Sequence, residues 1–124
     1  MTNKYTLKSH SYLSTSQSIL VLADEATLVV DYRASILQKL NVKATCSANW
    51  SEGFIVAHKE IIIYKYEDQQ YKEKFVCDNF GDKDVEVSGI SVNEDKVLVL
   101  LSTGNFMIGK IKSENNKNTV RLQL

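Results

Sequence analysis

The chain has 124 residues, of which 44% are hydrophobic and 24% charged, as is typical of a soluble globular domain. Its 15 basic and 15 acidic residues give a formal net charge of zero. This balance lacks the basic footprint of a protein that binds nucleic acid or anionic membranes. The longest apolar stretches, residues 19–23 and 97–101, are far shorter than the roughly 20 residues that span a bilayer. We therefore expect no nucleic-acid partner and no membrane partner.

The first nine residues contain two lysines but no apolar core of a signal peptide. The chain has two cysteines, Cys46 and Cys77. Without a secretory signal, two reduced and half-buried thiols are favoured over a disulfide. We expect an intracellular location.

Along the chain, short apolar or alternating runs are separated by polar breaks. Ile36, Leu37 and Leu40 would fit one face of a helix, but the flanking residues do not extend that stripe. The spacing instead predicts antiparallel meanders of about a dozen short strands. These predicted strands cover residues 9–13, 18–23, 26–32, 35–42, 43–48, 53–57, 60–66, 71–77, 85–92, 96–101, 105–112 and 119–124.

The runs group into a repeat in which a strongly apolar strand is followed by a β-branched strand. The strongly apolar strands are residues 19–23, 54–57 and 97–101, and the strands after them are 27–30, 61–64 and 106–109. Equivalent strands are 34 to 45 residues apart, near the roughly 40–45 of a WD-type blade. The predicted fold is an all-β partial β-propeller of about three WD-like four-stranded antiparallel blades, at about residues 9–42, 43–78 and 85–124.

Burial explains this pattern, because the middle strands of a blade are covered on both faces by neighbouring blades. The fourth strands lie at the rim, so residues 71–76 can alternate with charge, which also protects an outer edge. Propellers have about four to eight blades, so three blades do not close a ring. We expect the first and last blades to expose an apolar face, and the chain to be part of a longer protein or to need partners.

No constellation of residues predicts catalysis, a cofactor or a metal site. His10 and His58 have no third ligand at metal-binding spacing, and the cysteines form no Cys-x-x-Cys motif. Neither cysteine has the adjacent base of a nucleophile, so both are interpreted as packing residues. Phosphate-binding glycine motifs are absent, and Gly81, Gly89 and Gly104 are interpreted as turn or bulge residues.

Two further groups of residues have structural interpretations. The acidic pairs recur at predicted turns, which favours solvated turn carboxylates over acid–base catalysis. The aromatic residues are interpreted as filling gaps between blades, because a stacking platform for nucleic acid would need interleaved basic residues. The pairs are Asp24-Glu25, Glu67-Asp68 and Glu94-Asp95, and the aromatic residues are Tyr12, Trp50, Tyr64, Tyr66 and Tyr71.

Three stretches together resemble the WD-repeat cilia- and flagella-associated proteins. They are residues 9–13 leading into 18–24; residues 51–54 with 61–64 and 71–73; and residues 89–92 with 95–102. The resemblance spans about residues 8–112. It implies a non-catalytic axonemal scaffold whose propellers help to assemble or anchor inner dynein arms through contacts with other protein chains. The chain departs from that family in lacking a heptad tail and the Gly-His and Trp-Asp signatures, and no functional residue carries over.

Two other functions stay open. One is a propeller segment from another intracellular complex, such as a trafficking or ubiquitin-ligase adaptor. The other is a small enzyme or ligand-binding β-barrel, which the repeat and the missing polar constellation disfavour.

Overall fold

The structure is a computed structural model, and it describes residues 5–77, 84–113 and 120–123. These residues form β-strands and no helix, so the predicted all-β class is confirmed. The predicted loop residues 78–83, with Gly81, and 114–118 lie outside the described ranges. The strands are β1 (Leu7–Leu13), β2 (Ser18–Ala23), β3 (Thr27–Val30), β4 (Ile36–Leu40), β5 (Cys46–Trp50), β6 (Gly53–Ala57), β7 (Ile61–Glu67), β8 (Gln70–Cys77), β9 (Val87–Asn93), β10 (Lys96–Leu101), β11 (Phe106–Ser113) and β12 (Val120–Gln123).

The strands form three four-stranded antiparallel sheets, each built from consecutive strands. We call the sheet of β1–β4 blade 1, that of β5–β8 blade 2, and that of β9–β12 blade 3. Within each sheet, neighbours in sequence are neighbours in space, because short turns can join only antiparallel strands. The predicted arrangement of three WD-like blades is therefore confirmed.

Blade 2 lies between the other two blades. On β6, Phe54 and Val56 pack against blade 1, whereas Ile55 and Ala57 pack against blade 3. Successive side chains of a strand point to opposite faces, so covering both faces removes any need for a polar alternation. All five residues of β6 are buried, which is the physical reason for its continuous apolar sequence. We call the side of a blade turned toward the next blade in chain order its forward face, and the opposite side its backward face.

Strand β5 ends at Trp50, so the prediction of residues 43–48 for this strand is wrong in its position. Trp50 pairs with Gly53 across a two-residue turn, and its indole nitrogen donates to the Tyr64 carbonyl oxygen at 3.2 Å. A Cβ atom on Gly53 would lie 2.0 Å from that same oxygen. The polar sequence around Trp50 predicted a break, but burial of the indole against blade 3 keeps the strand paired.

The turn between β7 and β8 is also shorter than the predicted break at residues 67–70. Glu67 pairs with Gln70, which leaves only Asp68 and Gln69 in the turn, with φ angles of 52° and 65°. The Lys74 ammonium lies 2.6 Å from the Glu67 carboxylate and lowers the pKa of that carboxyl group. This ion pair spans the outer two strands of blade 2, and so an acidic residue can stay within the sheet.

Candidate interaction surface

The two histidines lie on different blades and do not form a site. His10 is exposed on β1, whereas His58 lies in the turn between β6 and β7. The His58 ring is within 3.9 Å of the Glu86 carboxylate and 3.5 Å of the Thr45 hydroxyl. Among the described residues, no group of three histidine, cysteine, aspartate or glutamate side chains is placed to hold a metal ion.

The two cysteines lie in one row of blade 2, on its opposite edge strands. The row runs from Cys46 through Ala57 and Ile61 to Cys77. Three strand spacings of about 4.8 Å separate the two cysteines, far beyond the reach of a disulfide, so Cys46 and Cys77 are not bonded to each other. Burial raises the pKa of the Cys46 thiol, which opposes formation of a nucleophilic thiolate.

The predicted acidic turns carry ion pairs and backbone contacts. Asp24 lies 2.9 Å from the Lys8 ammonium, and Asp68 lies 2.9 Å from Lys72. The Glu25 carboxylate accepts hydrogen bonds from the backbone and hydroxyl of Thr6, and the backbone bond is the main cause of its lowered pKa. These contacts stabilise hairpin ends, and the lowered pKa values of Glu25 and Asp68 suit charged groups rather than proton donors.

Most of the aromatic residues fill the space between blades 1 and 2. The Tyr71 ring lies 4.8 Å from both Phe54 and Tyr66, and Phe54 lies 5.0 Å from Tyr64, centroid to centroid. The Tyr71 hydroxyl is 2.7 Å from the Ser16 hydroxyl in the first turn of blade 1. Because Phe54, Tyr64 and Tyr71 are buried, their faces are not available for stacking on a base.

The forward face of blade 3 carries an exposed apolar patch. Leu98 pairs with Ile108, and Leu100 pairs with Phe106, so the four side chains share one face of the sheet. Leu100, Phe106 and Ile108 are 44%, 64% and 65% exposed. We call these four residues the open face. Exposed apolar side chains grouped on adjacent strands are typical of a surface that binds another protein.

The equivalent pairs in the other two blades are buried. Counting from the first hairpin turn of each blade, Leu98–Ile108 corresponds to Leu20–Val29 in blade 1 and to Ile55–Ile63 in blade 2. No side chain of those two earlier pairs is more than 2% exposed, because the next blade covers each of them. The open face therefore has the sequence character of a blade-to-blade interface without a cover in the described structure.

Basic side chains border the open face at one end. Lys96 pairs with Lys110 in the row next to Leu98–Ile108, and Lys112 follows on the same face of β11. A shallow depression of about 390 Å³ lies among them. It is lined by Lys96, Ile108, Gly109, Lys110, Lys112 and Gln123. The open face thus combines an apolar centre with a cationic border, as protein interfaces commonly do at a rim.

The backward face of blade 1 is the opposite end of the stack. It carries the rows Tyr12–Ile19–Val30 and Val21–Leu28. Tyr12 is 49% exposed, whereas Leu28 is buried. Leu28 pairs with Lys39, and the Lys39 ammonium lies 6.0 Å from the centroid of the Tyr5 ring. The backward face of blade 1 is therefore partly covered, whereas the sequence predicted an exposed apolar face at both ends of the stack.

No protein-family model matches the chain, and no curated protein matches it. Within the described residues there is no helix that is long and apolar enough to cross a membrane. A functional proposal therefore depends on the blades, their surfaces and the sequence resemblance described above.

Proposed function

We propose that the chain is a non-catalytic scaffold segment that binds other protein chains through its propeller blades. The observation that carries this proposal is the open face, where three large apolar side chains on central strands are at least 44% exposed. Burying such a surface gives about 25 cal/mol per Å² of apolar area, so a protein partner would be stabilised on it. The partners include the remaining blades of a complete propeller, and neither a cofactor nor a metal is part of the proposal.

The non-catalytic part is supported by the scatter of reactive groups. His10, His58 and Cys46 lie in different places of the described structure, and Cys46 has a raised pKa. A catalytic centre needs a nucleophile, a base and a stabilising donor within hydrogen-bond reach of one another. The contacts of the acidic turns are local and stabilise hairpins.

The cellular setting that we propose is the axoneme of motile cilia or flagella, where the segment would help to assemble or anchor inner dynein arms. This part is supported by the resemblance over about residues 8–112 to the WD-repeat cilia- and flagella-associated proteins. A second candidate is a propeller segment of another intracellular complex, such as a trafficking or ubiquitin-ligase adaptor. The open face favours both candidates equally, because its exposed apolar side chains indicate a protein partner but do not identify the complex to which that partner belongs.

Localisation in a motile ciliated cell separates the two candidates. An epitope-tagged chain should co-purify with demembranated axonemes and should be released together with inner dynein arms by high salt. A matched variant, Ile63→Asp, places a charge at a side chain that is 0% exposed and should abolish both folding and retention. A wild-type chain found in the soluble cytosolic fraction, with adaptor-complex subunits bound to it, would overturn the axonemal proposal.

A further inference from the structure

We propose that the open face of one copy packs on the backward face of blade 1 of a second copy, and that the reciprocal contact closes a six-bladed ring. This inference rests on the propeller part of the proposed function and identifies the source of the remaining blades. It does not depend on the axoneme.

The first support is the character of the open face. In blades 1 and 2, the register-equivalent pairs Leu20–Val29 and Ile55–Ile63 are buried by the following blade. In blade 3 the equivalent pair, Leu98–Ile108, is also made of two aliphatic side chains, and the apolar pair Leu100–Phe106 lies in the next row on the same face. The occupant that fits this face is therefore the backward face of another blade, packed in the same sense as the two contacts already present in the chain.

The second support is that blade 1 offers such a backward face. Its pairs Ile19–Val30 and Val21–Leu28 are equivalent in register to Phe54–Tyr64 and Val56–Ile62, which blade 1 covers on blade 2. Leu28 is already buried within the chain, whereas Ile19, Val21 and Val30 are half-buried, so part of this aliphatic surface stays accessible. Tyr12 lies in the same row and is 49% exposed.

Symmetry then permits closure. A twofold axis makes the contact from blade 3 to the second copy's blade 1 identical to the reverse contact, so no apolar blade face is left open. The resulting six blades fall within the range of about four to eight that propellers adopt. The balance of 15 basic and 15 acidic residues means that two copies carry no net repulsion.

The oligomeric state of the full 124-residue chain tests this inference by sedimentation velocity and light scattering over about 1 to 100 µM, which brackets a micromolar dimer. The expected mass is twice the 14.0 kDa of one chain. Ile108→Lys should raise the dimer dissociation constant about 100-fold, because each ring loses two contacts. Tyr12→Lys should weaken the dimer in the same direction. The control Val76→Lys changes a 41% exposed aliphatic residue on the rim of blade 2 and should leave the dimer unchanged.

A mixture of Ile108→Lys and Tyr12→Lys chains supplies a sharper readout. One contact in such a heterodimer joins two unaltered faces, so the mixture should dimerise more tightly than either variant alone. A wild-type chain that stays monomeric at the highest concentration would overturn the inference. So would a dimer weakened by Ile108→Lys but not by Tyr12→Lys, which indicates two open faces packed together. Mass that keeps rising with concentration would indicate an open filament and would also overturn ring closure.

Discussion

The side-chain amide of Gln38 makes two hydrogen bonds to the backbone of Tyr71. The Gln38 Nε2 donates to the Tyr71 carbonyl oxygen at 2.6 Å, and its Oε1 accepts from the Tyr71 backbone N–H at 2.8 Å. Gln38 lies on β4, the outer strand of blade 1, and Tyr71 lies on β8, the outer strand of blade 2. An edge strand leaves backbone groups unpaired, and here one amide satisfies both of them across the gap between blades.

Removing this amide should destabilise the junction of blades 1 and 2. We expect Gln38→Ala to lower the free energy of unfolding by about 1–3 kcal/mol, because two partly buried backbone groups lose their partner. Urea denaturation monitored by Trp50 fluorescence measures the change. The adjacent exposed residue provides the control, since Lys39→Ala should cost less than about 0.5 kcal/mol. Equal losses in the two variants would show that the amide contacts contribute nothing.

A methyl group at position 53 should disrupt blade 2. The Cβ of Gly53→Ala would lie 2.0 Å from the Tyr64 carbonyl oxygen, a contact that backbone atoms cannot relieve without moving a strand. We expect a loss of about 3 kcal/mol or more, or an insoluble protein. Gly104→Ala is the comparison, because Gly104 has a φ of 92° and open space around it. Gly104→Ala should cost only the backbone strain, about 1–2 kcal/mol. Thermal unfolding should therefore give a lower melting temperature for Gly53→Ala than for Gly104→Ala.

Alkaline pH should destabilise the chain through Tyr64. Burial, with a smaller effect of the Glu73 carboxylate, raises the pKa of Tyr64 to about 12 from its ordinary 10.0. The folded state therefore favours the neutral phenol. This stability is fully present below pH 10.0, and it is lost as the pH rises from there through the folded pKa of about 12.

Urea unfolding at about pH 8 and about pH 11 tests this effect in wild type and Tyr64→Phe. One pH unit above the unfolded pKa corresponds to about 1.4 kcal/mol, so the wild type should lose about that much more stability than the variant over this range. Tyr32→Phe, at a side chain that is 70% exposed, should keep the wild-type dependence. If Tyr64→Phe and the wild type lose stability in parallel, the buried phenol is not the cause.

The turn between β7 and β8 should accept glycine with a gain in stability. Asp68 and Gln69 both have positive φ angles, which side chains other than glycine, asparagine and aspartate adopt at a cost. We expect Gln69→Gly to raise the free energy of unfolding by about 0.5–1 kcal/mol, while the Asp68–Lys72 ion pair stays in place. Lys59→Gly, at a turn position without a positive φ, should instead lower it. A lower melting temperature for Gln69→Gly would contradict this prediction.

The strand pattern could be predicted from the sequence because it depends on local alternation and burial. The continuous apolar run of β6 predicts a strand covered on both faces, and the structure covers it on both faces. The positions of strand ends were harder to predict. Trp50 continues β5 through a polar segment because its indole reaches the Tyr64 carbonyl oxygen, and that contact is not visible in the local sequence. Likewise, the turn residues Asp68 and Gln69 have positive φ angles, but neither is the glycine or asparagine that would mark a two-residue turn in the sequence.

The interaction surface could be predicted only in outline. The incomplete set of blades predicts an uncovered apolar face, but β10 has the same apolar character as β2 and β6. Which of its residues are exposed depends on the register with β11, which places Leu100 beside Phe106 and Leu98 beside Ile108. The Gln38 amide is a further case, because its partner lies on a different blade and is reached only through tertiary packing.

Among the described residues, every blade is a meander of consecutive strands, and no strand pairs with a strand of another blade. The monomer should therefore open in steps, with the terminal blades opening before the central one, as in solenoid proteins whose units contact only their neighbours. Native-state hydrogen exchange of the monomer should find the slowest amides in β6 and β7, where both faces are covered. The same geometry allows a terminal blade to detach transiently while its own hairpins stay paired, and reattachment requires the docking of preformed sheets rather than new strand pairing.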